Sequence, residues 1–167
     1  MKRITILRHA KSDWAQAELK DIDRPLNERG YHDAYQGSEQ ILQEGLMPDM
    51  IYSSTATRAL STALIFARKM QLEANQIQLA PWYYETDNDI TMAFLRKLKS
   101  DLQHVMLVGH NPASTNICNA FVKSGGIDEL PTCGLVTIDF DCEAWRDLAF
   151  GKGEIKYYQY PKMNKKI

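Results

Sequence analysis

Four side chains offer chemistry in this sequence: Arg8, His9, Arg58 and His110. Arg8 and His9 stand where an apolar run, Ile4-Thr5-Ile6-Leu7, turns polar. His110 follows a second apolar run, Val105-Met106-Leu107-Val108. Arg58 comes just after the hydroxyl cluster Ser53-Ser54-Thr55. A guanidinium beside an imidazole suits an anion, and planar bidentate donors match phosphate oxygens. Two of each would repel one another when empty and be favourable around a dianion. An imidazole among such neighbours is kept neutral and nucleophilic near pH 7. Each residue also has a plain structural reading. Arg8 can pair with a surface carboxylate, and a histidine at a strand end can be a solvated loop residue.

The elements that would position these groups can be read from the pattern. Arg3 to Leu7 is short, β-favouring and apolar, as a buried strand is. Met50-Ile51-Tyr52, Ile77-Gln78-Leu79, Val105 to Val108, Leu135 to Phe140 and about Glu154 to Tyr160 read as further strands. Helices are expected from about Tyr31 to Glu44, Thr57 to Met70, Asn88 to Lys99 and Asn111 to Lys123. Ala59, Leu60, Ala63, Leu64 and Ala67 recur at helical steps. Gly45 suits a helix stop. Ser53-Ser54-Thr55 suits a helix cap, as do Asn111 and Pro112. Arg58 falls in the first turn of its helix, where the dipole disfavours a cation unless an anion shares the place. The polar stretch from Asp13 to Arg29, broken by Pro25, reads as a loop across the mouth of the site. In an open α/β sheet, ligands bind outside the carboxyl ends of the strands. Parallel neighbouring strands would bring all three junctions to one edge.

Composition narrows the function classes. The chain has 167 residues, 44% hydrophobic and 25% charged, with a net charge of −1. Strands and helices alternate without a linker or repeat, so one αβ domain spanning 1–167 is expected. The charge balance argues against general nucleic-acid binding. Lys162, Lys165 and Lys166 form only a small basic tail. No apolar run is long enough for a membrane span, and no signal peptide is evident. Three cysteines, Cys118, Cys133 and Cys142, are widely spaced and lack a CxxC pattern. Buried thiols in a reducing cytoplasm are expected, rather than a disulfide framework or zinc site.

Together, three motifs resemble the histidine phosphatase superfamily, the phosphoglycerate-mutase-like proteins. They are Leu7-Arg8-His9-Ala10, the run from Ser53 to Ala63 containing Thr57-Arg58-Ala59, and Val108-Gly109-His110-Asn111-Pro112. The fuller strings Arg8-His9-Ala10-Lys11-Ser12 and Asp23-Arg24-Pro25-Leu26-Asn27-Glu28-Arg29-Gly30 look like the short SixA-type branch, the phosphohistidine phosphatases. The resemblance implies a three-layer αβα sandwich around a mostly parallel sheet. It implies that His9 attacks phosphorus and becomes phosphohistidine. Arg8, Arg58 and His110 would hold the phosphoryl oxygens, and water would release the phosphate. No metal or cofactor is implied.

Two positions depart from the family pattern. The Asn that mutase-like members carry six residues after the nucleophile is Ala15 here. Lys11 or Ser12 would have to replace that contact. A general acid from the loop after the third strand would be Glu85 or Asp87, neither in a recognisable acid motif. An alkoxide leaving group needs a proton on departure, whereas a phosphohistidine imidazole can carry its own. The first reading is therefore a phosphatase of phosphohistidine in a protein partner. A phosphatase of small phosphorylated metabolites and an idle phosphate-binding module are the alternatives. Mutase activity is weakened by Ala15 and the chain's small size.

Overall fold

A computed structural model describes residues 1–163. Of the basic tail, Lys162 is exposed, while Lys165 and Lys166 lie outside the described residues. Six strands form one sheet: β1 (Lys2–Arg8), β2 (Met50–Ser53), β3 (Ile77–Leu79), β4 (His104–Gly109), β5 (Leu135–Phe140) and β6 (Glu154–Gln159). Their order is β3-β2-β4-β1-β5-β6. The first four in that order run parallel; β5 pairs antiparallel with β1 and β6 antiparallel with β5, so β5 alone runs against the rest. Four α-helices cover it: α1 (Glu28–Gln43), α2 (Thr57–Lys69), α3 (Asn88–Leu95) and α4 (Ala113–Phe121).

Period-two alternation divides the core. Ile4, Ile6, Val105, Leu107, Val136 and Ile138 pack with Met92 and Leu95 of α3 and Ile117 and Phe121 of α4. Leu7, Met106, Val108 and Leu135 face the other way, onto Ala34 and Ile41 of α1 and Ala63 and Phe66 of α2. The result is the expected αβα sandwich. Every residue of β4 is buried, as a strand covered on both faces must be. No helix among the described residues is long and apolar enough to cross a membrane. Cys118 and Cys133 are buried free thiols, and Cys142 is half-buried.

Register sets the site. Arg8 pairs with Gly109 across β1 and β4, and Ser53 with Val108 across β2 and β4. The carboxyl ends of three neighbouring parallel strands are therefore level. The loop after β1 folds back on itself: Ser12 bridges Leu26, and the Asp13 N–H donates to the Pro25 carbonyl at 2.8 Å.

Several boundaries differ from the sequence expectation. Helix α1 starts at Glu28, before Tyr31, because the Asn27 side chain accepts from the Gly30 N–H and caps it. Gly30 thus lies inside the first turn. A Cβ there would sit 2.1 Å from the Lys11 carbonyl oxygen, so only glycine lets the helix approach so closely. Gly45, with φ of 69°, ends the helix region as expected. Helix α3 ends at Leu95 rather than Lys99, giving way to turns in which Lys97 and Leu98 donate three residues back. Helix α4 starts at Ala113 and ends at Phe121, with no side-chain cap from Asn111 or Pro112. Asn111 instead donates to the Leu130 carbonyl and accepts from Thr115 Oγ1, both at 2.9 Å.

Candidate active site

The three junctions converge on one cavity of about 250 Å³. Arg8, His9, Arg58 and His110 all line it, together with Lys11, Ser12, Trp14 and Arg24. The rings of His9 and His110 lie 5.1 Å apart. His9 sits one residue past β1, where its N–H is held by the Gly109 carbonyl at 3.0 Å. It is buried, and its Nδ1 lies 2.7 Å from the Ala10 carbonyl oxygen. A carbonyl can only accept, so Nδ1 carries the proton and Nε2 keeps a lone pair. The Arg58 Nε–H points to that lone pair at 3.4 Å. Burial, reinforced by the charges of Arg58 and Arg8, pushes the His9 pKa down to about 3. His9 is therefore a neutral imidazole with a lone pair on Nε2 throughout the physiological range.

His110 is set up in the complementary sense. Its Nε2 lies 2.7 Å from Ser54 Oγ. The same oxygen accepts from the Ala56 N–H at 3.3 Å. When that hydroxyl donates to Nε2, the ring proton sits on Nδ1. That Nδ1 is buried without a hydrogen-bond partner, and so is Arg8 Nε. Buried polar nitrogens without partners are costly, and two of them on residues that line one cavity suit an anion there. Burial, and then the nearby Arg58, lowers the His110 pKa to about 4. Ser54 thus orients His110, whereas the sequence suggested a helix cap. The residue at the α2 N-cap position is Ala56, with no side-chain cap.

The plain structural reading of Arg8 holds for part of its side chain. Its Nη1 donates to the Leu130 carbonyl at 2.8 Å and to the exposed Glu129 carboxylate at 3.2 Å. Its Nε has no such partner. Arg58 is buried in the first turn of α2, as the sequence suggested.

A second cavity, of about 460 Å³, adjoins the first through Arg58, His110 and Asn111. Glu85 lines it, exposed, and makes no hydrogen bond among the described residues. Asp87 also lines it, but its carboxylate accepts from the Ile90 N–H and caps α3. Ala15 is exposed in the loop after β1 and lines neither cavity. Ser12 is buried and accepts from Arg24 Nη1 at 2.8 Å, while Lys11 is exposed at the rim.

Three site residues escaped sequence reasoning as individuals: Arg24, Asp21 and Tyr84. Arg24 adds a third guanidinium to the smaller cavity and stacks on Trp14, 3.5 Å from the ring centroid. Asp21 pairs with both Arg24 and Arg58. Tyr84 donates to Asp21 at 2.7 Å and meets the His110 ring edge-on at 5.4 Å. Arg24 lay within the Asp-Arg-Pro-Leu string already singled out, which was the available signal. Among the described residues, no cluster of histidines, cysteines and carboxylates is arranged to hold a metal ion.

Comparison with known proteins finds both sequence relatives and similar folds. The model of the histidine phosphatase superfamily (branch 1) matches residues 4–81. An uncharacterized chloroplastic protein of Arabidopsis thaliana is 28% identical over 155 residues, covering 87% of this chain and 70% of that protein. A 2,3-bisphosphoglycerate-dependent phosphoglycerate mutase of Leifsonia xyli subsp. xyli is 37% identical over 62 residues. That match covers 36% of this chain but only 25% of the mutase. The crystal structure of a protein assigned as the phosphohistidine phosphatase SixA of Agrobacterium tumefaciens superposes with a TM-score of 0.80. It is 27% identical, and the match covers 96% of this chain and 98% of that one.

Proposed function

Because the chain belongs to the histidine phosphatase superfamily and is a phosphatase, we propose that His9 is its nucleophile and phosphohistidine in another protein its substrate. His9 Nε2 attacks phosphorus, the bond to the leaving group breaks, and phosphohistidine forms on the enzyme. Water then attacks the same phosphorus, the P–Nε2 bond breaks, and phosphate leaves with His9 restored. Arg8 Nε–H, Arg58 Nε–H and His110 Nδ1–H donate to the phosphoryl oxygens, where charge builds in the transition state. Arg24 adds positive charge to the same cavity. The observation that carries this reading is the pair of buried, partnerless nitrogens, Arg8 Nε and His110 Nδ1, beside an imidazole whose Nε2 is unprotonated and meets only the Arg58 Nε–H.

The leaving group follows from the carboxylates. Asp21 accepts from Tyr84, Arg58 and Arg24, and these contacts hold its pKa well below the usual carboxylate range. It is an anion at neutral pH and has no proton to give. Asp87 is committed to the α3 cap. Among the described residues, neither cavity is lined by a buried carboxyl that could protonate an alkoxide. An imidazole leaving group supplies its own proton. A second reading, a phosphatase of small monoesters, rests on Glu85, which faces the larger cavity.

The test is to offer a phosphohistidine-bearing protein and a panel of small phosphate esters side by side. Faster turnover of the phosphoprotein, with acid-labile and alkali-stable phosphate trapped on His9, is expected. Equal or faster turnover of the esters overturns the substrate assignment. Undiminished phosphate release by His9→Ala overturns the nucleophile.

A further inference from the structure

One carboxylate, outside the motifs that named the site, holds two of its guanidiniums. Asp21 lies in a short 3₁₀ turn, Asp21–Asp23, within the loop after β1. Its Oδ2 accepts from Arg58 Nη2 at 2.8 Å and from the Tyr84 hydroxyl at 2.7 Å. Its Oδ1 accepts from Arg24 Nε at 3.1 Å and Nη2 at 2.9 Å. Four donors fill what a carboxylate can accept. The Asp21 backbone carbonyl takes Arg58 Nη1 at 2.5 Å as well. Both Nη groups of Arg58 are thereby turned toward Asp21, and Nε–H is the donor left facing His9 Nε2.

We propose that Asp21 is the positioning residue of this site, acting through Arg58: it presents the Arg58 Nε–H to the phosphoryl group. This rests on the phosphatase reading above. The guanidinium has five N–H donors and a long stem, so without a tether it can meet an anion in several poses. The tether selects one pose before substrate arrives, which is the preorganisation that electrostatic catalysis needs. It also joins the loop after β1 to the loop after β3 through Tyr84. A purely structural role predicts something different. Asp21 is half exposed, and ion pairs in such positions add little to stability. Removing it should change the rate far more than the fold.

The test compares Asp21→Asn with wild type, alone and in an Arg58→Ala background. Asparagine has nearly the same shape but loses one acceptor oxygen and the charge. The expected result is a kcat lowered about 10- to 100-fold with KM changed less than about threefold. Inhibition by orthovanadate should hold or tighten, because a negative charge beside the cavity is gone. In the Arg58→Ala background the same substitution should cost at most about threefold. The Arg58 Nε–H signal in a nitrogen-15 spectrum, assigned by its loss in Arg58→Lys, should be sharp in wild type and broadened in Asp21→Asn. An unchanged kcat, or an equal loss in both backgrounds, overturns the proposal. A loss of vanadate binding in step with kcat and melting temperature also overturns it and makes Asp21 a folding residue. If wild type releases no phosphate from any substrate, the phosphatase reading fails instead. The Arg58 signal and vanadate affinity then decide Asp21 on their own, and no change in either overturns it.

Discussion

Keeping His9 neutral by burial has a consequence for the stability of the whole protein in mild acid. Three of its four histidines, His9, His104 and His110, are buried, with pKa values lowered to about 3, 4 and 4, in each case chiefly by burial. His104 lies away from the cavity, 2.8 Å from Thr5 Oγ1 and 3.0 Å from the Met47 carbonyl. In the unfolded chain each imidazole titrates near 6.5. Between that value and the folded pKa, the unfolded state binds the proton and the folded state does not. Stability is therefore retained above about pH 6.5 and falls as pH drops. At pH 5 an unfolded imidazole is about 97% protonated, while the folded ones are about 10% protonated or less. Moving from pH 7 to pH 5 then costs about 2 kcal/mol for each group, or about 6 kcal/mol for the three. That is comparable to the whole stability of a typical domain, roughly 5–15 kcal/mol. Asp21 does not enter this window, because its contribution is lost only when pH falls below the usual carboxylate range.

Urea unfolding followed by tryptophan fluorescence at pH 7, 6 and 5 measures this directly. The midpoint should fall steeply between pH 6 and 5. His104→Gln should remove about a third of the slope and leave the cavity untouched. Below pH 6.5, the kcat of molecules that remain folded should show no loss from protonation of His9. A midpoint that is flat from pH 7 to 5 would refute the reasoning, since the buried imidazoles would then titrate as they do in water.

Three further outcomes test the site. Ser54→Ala should lower kcat about 10- to 100-fold by freeing the His110 tautomer, and in a His110→Asn background it should have little further effect, as a double-mutant cycle of phosphate release would show. Gly30→Ala forces a Cβ against the Lys11 carbonyl oxygen at 2.1 Å, so a loss of about 1–3 kcal/mol in denaturant unfolding and slower turnover are expected together. Glu129→Gln removes an exposed partner of Arg8, which should change stability by less than about 1 kcal/mol. It should lower KM for a phosphorylated substrate at low salt, with the difference vanishing at high salt.

The strands were legible because each is a short apolar run, and β4 above all because both of its faces are covered. The residues Arg8, His9, Arg58 and His110 were legible because each stands just beyond such a run. Linked motifs in the right order said that they belong together. Helix ends were less legible. Asn27 caps α1 from inside what reads as a loop, and α3 loosens into turns after Leu95 although its sequence continues the helical pattern.

What the sequence alone determined was therefore which imidazoles and guanidiniums meet at one cavity, since these stand at strand ends. The sheet order β3-β2-β4-β1 and its register then made those ends level. Only the tertiary structure decided which nitrogen of each imidazole is free. The Ala10 carbonyl does so for His9 and the Ser54 hydroxyl for His110, a partner 56 residues away. Only the tertiary structure brought Asp21 to Arg58 across 37 residues. A carboxylate in a polar loop looks like any solvated charge until folding places two arginines and a tyrosine around it. Spacing along the chain can reveal a group that does chemistry, but the direction in which a donor points is set by neighbours that are remote in sequence.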